Sequence, residues 1–390
     1  MLAVVIASML GFTSCEDEDN ISRLGNWIEC DADFPGTNRG GAVCFKIGNV
    51  AYVGTGANTN KTEEKERYRD FFSVTPNGTN KKYLDWSAKW DRTAEGVSSM
   101  PEEAALRNGG VAFSINGKGY VGLGYDGTNY LRDFWEFDPE GTPDPDQYPS
   151  MADSLKAKFS QTGKWTRIDN YPGDSCRYAV AFVIDNVAYV GTGEDWDNNI
   201  LKDFYKFDGT KWSKMASIGR ARAQATAFVM TDPKDGLEYG YVFGGVNSGS
   251  VDWFQRYNPR EDVWEDLHRV ADKTRQSFDD DYTLAGYGCT SFVYGGKGFI
   301  TTGGAGIVSG YTWEYDAEGD YWVQKTNFEG YSRKFAVSFV LDVPTEDGGT
   351  TEVPYVSTGA GQDITVSGQG GSFYSDTWYF HPYEAYEYRD

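Results

Sequence analysis

The chain of 390 residues and 43.4 kDa is 39% hydrophobic and 16% aromatic, more apolar surface than a disordered chain carries. Its 36 Lys and Arg against 58 Asp and Glu leave a net charge of −22, which repels phosphate backbones and speaks against nucleic-acid binding. With only 2 histidines, a multi-histidine metal site is excluded.

Residues 2–12 form an apolar run of signal-peptide length, too short to span a bilayer as a helix. Phe12-Thr13-Ser14-Cys15 follows, and then the acidic run Glu16-Asp17-Glu18-Asp19. The first group resembles a bacterial lipobox, although no Lys or Arg precedes the apolar run. The second resembles the export tag of Bacteroidetes-type surface lipoproteins. The resemblance implies lipidation of Cys15, export to the bacterial outer membrane and exposure at the cell surface, with membrane contact through the lipid alone. Of the other cysteines, Cys30, Cys44, Cys176 and Cys289 show no CxxC spacing and read as buried free thiols on strands, pairing being the open alternative.

Downstream, one pattern recurs six times with a period of roughly sixty residues. Each copy is an apolar strand, a turn, and a second strand ending in a glycine motif. The copies span residues 42–56 (AVCFKIGNVAYVGTG), 111–124, 179–193 (AVAFVIDNVAYVGTG), 225–245, 289–304 and 336–361. Turns such as Gly48-Asn49, Asn116-Gly117 and Gly295-Gly296 carry residues that accept the positive φ of tight hairpins. A third strand follows, with an aromatic two residues beyond a usually acidic position: Asp70/Phe72, Asp133/Trp135, Asp203/Tyr205, Asp252/Phe254, Tyr311/Trp313 and Asp376/Trp378. A fourth begins with tryptophan, at Trp90, Trp165, Trp212, Trp264 and Trp322.

These repeats resemble those of bacterial kelch propellers, the broad group that includes the galactose-oxidase propeller and N-acetylneuraminate epimerase. The resemblance implies an all-β, six-bladed kelch-type β-propeller of four-stranded antiparallel blades around a central channel. The chain then divides into a signal peptide at residues 1–15, an acidic tether at 16–24 and one propeller at 25–390. Trp27 lies 12 residues before Arg39, as Trp165 lies 12 before Arg177, so the N-terminal segment reads as the missing fourth strand of the last blade. Tyr386-Glu387-Tyr388 is the rival clasp. Residues 59–67, 78–85, 139–162 and 270–282 read as irregular excursions.

Strand direction alternates within a blade, so the segments leading into strand one and the loops after the glycine motifs share one face, here the upper face. Arg39, Arg107, Arg222 and Arg333 lie six residues before Phe45, Phe113, Phe228 and Phe339, and Arg177 lies five before Phe182. Converging on the channel mouth, five guanidinium groups would suit a carboxylate, sulfate or phosphate; pairing with neighbouring Asp or backbone carbonyls is the alternative. Tyr125 and Asp126, with Glu194, Asp195 and Trp196, supply the aromatics and polar groups of sugar recognition, joined by Val246-Asn247 and Gln362-Asp363.

Several chemistries are excluded. The GxGxxG letters at 122–127 lead into another strand rather than a phosphate-binding helix. His268 and His381 belong to different blades and cannot form a copper radical centre. No cofactor, metal or catalytic residue is assigned. The reading is a binding module for a glycan or protein ligand bearing anionic groups. The alternative is a cofactor-free sugar-processing enzyme resembling N-acetylneuraminate epimerase, with an acid such as Glu194 moving protons. A subunit of an outer-membrane uptake complex is a third, structural role.

Overall fold

A computed structural model describes residues 23–59, 66–87, 99–157, 163–267, 286–362 and 372–386. Cys15, Trp90, His268 and Asp363 lie outside the described residues, as does the whole excursion at 270–282.

Alternation of buried and half-buried residues, as in Val111–Ile115 and Val180–Ile184, makes each first strand a two-sided element with one face toward its neighbours. Six four-stranded antiparallel sheets result. Blade 1 is Val43–Ile47, Val50–Gly54, Phe71–Pro76 and Leu84–Ser87; blade 2 is Val111–Ile115, Lys118–Gly122, Phe134–Asp138 and Lys164–Ile168. Blade 3 is Val180–Ile184, Val187–Gly191, Phe204–Phe207 and Trp212–Met215; blade 4 is Thr226–Thr231, Glu238–Phe243, Phe254–Asn258 and Val263–Asp266. Blade 5 is Thr290–Tyr294, Lys297–Thr301, Thr312–Asp316 and Tyr321–Lys325. Blade 6 is Val337–Pro344, Thr350–Ser357 and Thr377–Ala385, completed by Leu24–Glu29 from the other end of the chain. The protein is a six-bladed β-propeller. Its described helical turns, Pro145–Gln147 and Asp153–Lys156, sit in the 139–162 excursion.

Between blades the core is aromatic. In every blade the strand-one phenylalanine stacks on a strand-two ring: Phe45 on Tyr52, Phe113 on Tyr120, Phe182 on Tyr189, Phe228 on Tyr241, Phe292 on Phe299 and Phe339 on Tyr355, with centroids 5.1–5.4 Å apart. The Phe45 ring also lies on Gly119 of the next blade, where a Cβ would sit 2.1 Å from it. Glycine at 119 is therefore a condition of blade stacking.

Two belts of backbone hydrogen bonds close the ring. In the first, Gly41 N–H donates to Phe335 O, Phe335 to Gly288, Gly288 to Gln224, Gln224 to Tyr178, Tyr178 to Gly109 and Gly109 back to Gly41, at 2.7–3.0 Å. In the second, the last glycine of each turn donates to the next blade: Gly56 to Arg107 O, Gly124 to Cys176, Gly193 to Arg222, Gly245 to Gly286, Gly303 to Arg333 and Gly359 to Arg39, at 2.7–2.9 Å.

The clasp is the N-terminal strand. Asn26–Glu29 pair with His381–Trp378, and the buried Trp27 stacks on Phe380 at 4.4 Å with its edge on Phe328 at 4.9 Å. Two expectations of register need correction. The fourth strand of blade 1 is Leu84–Ser87, which begins within the segment 78–85 read as irregular, and Trp86 rather than Trp90 takes the tryptophan position opposite Val74. Packing decides this, because Trp86 meets Phe34 at 5.5 Å and Phe339 at 6.1 Å. In blade 4, Phe243 pairs with Phe254, so Trp253 and not Asp252 stands where other blades place their acid.

Truncating the clasp anchor, Trp27→Ala, is expected to cost about 3–5 kcal/mol in denaturant unfolding. Tyr386→Ala, at a side chain 42% exposed, is expected to cost under about 1 kcal/mol. A larger loss for Tyr386→Ala than for Trp27→Ala would contradict the N-terminal clasp.

Candidate functional site at the upper mouth of the propeller

The upper ends of the blades are held by buried arginines. Arg39, Arg107, Arg222 and Arg333 are each 0% exposed. Arg107 forks onto Asp133 at 2.9 and 2.7 Å, and Arg333 onto Asp376 at 2.8 and 2.6 Å. Arg39 does the same with Asp70. Each guanidinium also donates to the backbone of its own blade, at Thr55, Leu123 and Thr358, so it ties the glycine turn to the start of strand three. Aromatic rings complete the cages: Phe34 and Tyr68 around Arg39 at 4.9 and 3.9 Å, and Phe328 and Tyr374 around Arg333 at 4.9 and 4.4 Å. Burial acts to raise the Asp133 carboxyl, but Arg107 and the Trp135 indole hold it below the ordinary carboxylate value. That ion pair therefore stabilises the fold above the carboxylate range and is lost as pH falls through the folded value.

The expectation of five arginines ringing the mouth is corrected accordingly: four of them present no surface to a ligand. Blades 3 and 5 carry Cys176 and Gly286 at the same position, each accepting the second-belt bond that Arg107 or Arg333 accepts elsewhere. In blade 3 the released Asp203 turns to Lys214 at 2.6 Å and Ser217 at 2.7 Å. Arg222 is the exception among the four. Among the described residues its side chain meets only the carbonyls of Arg220 and Trp253 and the Gln255 amide, with the Trp253 ring at 5.2 Å. Burial, followed by the like charge of Arg220, lowers this guanidinium to about 9.

Arg177 lies one position further along, and its spacing of five to Phe182 marks a different place in the fold. The residues at this place are Gly40, Asn108, Arg177, Ala223, Tyr287 and Lys334, which bridge to Ala57, Tyr125, Glu194, Val246, Gly304 and Ala360 in the turns after strand two. Unlike the caged arginines, Arg177, Tyr287 and Lys334 among them line the mouth. Arg177 donates to Glu194 at 3.1 Å and lies 5.1–5.4 Å from the rings of Tyr125, Tyr130 and Tyr178. Arg67 covers the Tyr125 ring at 4.7 Å, held by Asn108 Oδ1 at 2.8 Å. Tyr130 donates to Glu194 at 3.1 Å and sets its ring edge against Trp196 at 5.5 Å. Trp196 is 61% exposed.

The structure thus brings together Arg177, Tyr125, Glu194 and Trp196. Asp126 and Asp195 stand beside them, but their carboxylates are spent on their own loops: Asp126 accepts the amides of Thr128 and Asn129, and Asp195 those of Asp197 and Asn199. Gln362 is tied to Val308 and Gly306, and Asn247 to Ala221.

Over the axis sits an open cup of about 470 Å³. Arg177 and Lys334 line it from blades 3 and 6, with Tyr178, Phe335, Tyr287 and Ser250, and none of the described residues lining it is a carboxylate. Lys334, Tyr287, Tyr178, Phe335, Tyr130 and Arg67 were not anticipated from sequence. The signal for the first two was present, since both follow the arginine position of the repeat by one residue.

Removing one half of a caged pair, Asp133→Ala, strands a buried cation and is expected to cost about 3–5 kcal/mol. Asp203→Ala, at an acid that partners an exposed lysine, is expected to cost under about 1 kcal/mol. Gln255→Glu gives Arg222 a carboxylate and is expected to raise the thermal midpoint by about 1–3 °C. Equal losses in the two Asp variants, or a lower midpoint for Gln255→Glu, would contradict this account of the clamp.

The profile of the Kelch motif matches residues 241–267, from the second to the fourth strand of blade 4. No curated protein matches the chain. Motif and architecture agree: the protein is a kelch-type six-bladed β-propeller whose upper face opens into a cationic, aromatic-lined cup.

Proposed function

We propose that the protein is a lipid-anchored binding module of the bacterial outer-membrane surface, and that the cup and its aromatic flank take a glycan or protein ligand through anionic groups. The observation that carries this reading is the cup itself. On a chain of net charge −22, its described lining holds two cations and no acid. A local field of opposite sign to the whole molecule selects an anionic group from solution. Trp196 and Tyr130, beside the cup, offer ring faces and edges suited to the apolar faces of sugars.

The position of the termini is consistent with a tether. Leu24 pairs with Ala385 at the lower end of blade 6, whereas Cys30 pairs with Thr377 at the upper end. A lipid at Cys15 would hold the lower rim toward the membrane and leave the cup facing outward. The eight residues 16–23 reach at most roughly 28 Å when extended.

The sugar-enzyme alternative receives less support. Burial, opposed by Arg177 and aided by Glu194, pushes the Tyr130 phenol up to about 12, so beside Glu194 it is a hydrogen-bond donor rather than a base near neutrality.

In gels containing uronic-acid-rich or sulfated polysaccharides the protein is expected to be retarded, less so at high salt, and neutral polysaccharides are expected to have no effect. Arg177→Gln with Lys334→Gln is expected to weaken retention at least about tenfold, and Trp196→Ala several-fold. No retention on any polysaccharide, with no partner in a pull-down, would overturn the reading. Faster anomer exchange of sialic acid on adding protein, seen by NMR, would favour the enzyme.

A further inference from the structure

Below the cup the first strands enclose a channel of about 270 Å³. Its walls are small side chains, Ala112, Ala181, Ala227, Ser291, Ser338 and Cys44 among them, with Cys289 also in the lining. In every blade the lining begins one residue after the first belt: Ala42 after Gly41, Gly110 after Gly109, Ala179 after Tyr178, Ala225 after Gln224, Cys289 after Gly288 and Ala336 after Phe335. The belt is the boundary between the two cavities. Tyr178 and Phe335 line the cup, and neither lines the channel.

All six belt residues hold positive φ, and three are glycine. Tyr178 and Phe335 adopt φ of 57° and 56° despite bulky side chains, a conformation that costs about 1–2 kcal/mol for a residue with a Cβ. Such a cost persists where the side chain is needed in one place. Blades 3 and 6 stand opposite each other in the ring, and their two rings stack across the axis with centroids 5.0 Å apart and planes 18° apart. The neighbouring belt glycines make room for them. A Cβ on Gly109 would lie 2.8 Å from the Tyr178 ring, and one on Gly288 would lie 3.0 Å from the Phe335 ring.

We propose that Tyr178 and Phe335 form an aromatic plug across the axis that separates the upper cup from the channel beneath it and bars passage from one to the other. The cup then has a floor of two ring systems, and a ligand settling between Arg177 and Lys334 stops on that floor without entering the channel. This follows from the belt geometry alone and holds whatever ligand the cup takes.

The channel thiols report on the plug. Tyr178→Gly with Phe335→Gly installs the residue that three other blades carry and suits the positive φ, so the belt bonds are kept. Methyl methanethiosulfonate labelling, followed by mass spectrometry of each cysteine peptide, gives the rates. Cys44 and Cys289 are expected to label at least about tenfold faster in the double variant than in the wild type, with single variants between. Cys30 and Cys176, 6% and 0% exposed and outside the channel lining, are expected to keep their rates. Tyr178→Gln with Phe335→Gln, using the residue of blade 4, gives the same reading if the glycine variant loses its fold. Equal Cys44 and Cys289 rates in wild type and folded variant would overturn the plug. So would a parallel rise at Cys30 and Cys176, which would mark general loosening.

Discussion

Closing six twisted sheets into a wheel leaves a dozen backbone amides at the axis, where the chain has left one sheet and has not yet joined the next. Buried groups of this kind need partners. Here they find them in adjacent blades, through two belts of six hydrogen bonds each. The geometry requires left-handed backbone at the belt residue leading into strand one and in the turn after strand two. Thr55, Leu123, Thr192, Gly244, Thr302 and Thr358 all take positive φ at the middle of that turn. In blades 1, 2 and 6 the Arg–Asp clamps work at the same level, holding the turn against strand three so that its last glycine points at the next blade.

This frame separates three consecutive positions into distinct roles. The first, Arg39 and its equivalents, turns inward and carries the clamp. The second, Gly40 and its equivalents, bridges to the turn after strand two, and in blades 3, 5 and 6 it lines the mouth. The third, Gly41 and its equivalents, makes the belt. Blade 3 shows the division most plainly: Cys176 has lost the clamp, Arg177 supplies the mouth with a cation, and Tyr178 supplies both a belt bond and a ring over the axis. Variation at the second position, on a scaffold fixed by the first and third, is how a propeller acquires a particular ligand surface; the fold by itself assigns none.

Much of the wheel was legible in the sequence. The glycine motifs marked the ends of the second strands, and the spacing of Trp27 to Arg39 favoured the N-terminal segment over Tyr386-Glu387-Tyr388 as the clasp, which the pairing of Asn26–Glu29 with His381–Trp378 decides. The site was legible only in part. Regular spacing made Arg39, Arg107, Arg222 and Arg333 look like one functional ring, yet regular recurrence is what a structural clamp also produces. Arg39 and Arg333 are enclosed by cages built by Phe34, Tyr68, Phe328 and Tyr374, residues outside the repeat pattern. The irregular arginine, Arg177, was the one facing the mouth. The register errors at Trp90 and Asp252 share a cause: adjacent residues of the right type, Lys89-Trp90 and Asp252-Trp253, imitate a motif whose true position is set by packing at Trp86 and by the pairing of Phe243 with Phe254.

The central claim is that the belts make the wheel one cooperative object, with the clasp as its closure. Native-state hydrogen exchange at the belt amides tests it most directly. The amides of Gly41, Gly109, Tyr178, Gln224, Gly288 and Phe335, with those of Gly56, Gly124, Gly193, Gly245, Gly303 and Gly359, should exchange with one common opening free energy equal to that of global unfolding, and lose protection together when residues 1–29 are deleted. Blade-by-blade exchange with separate opening energies, or a deletion that lowers protection in blade 6 alone, would contradict it.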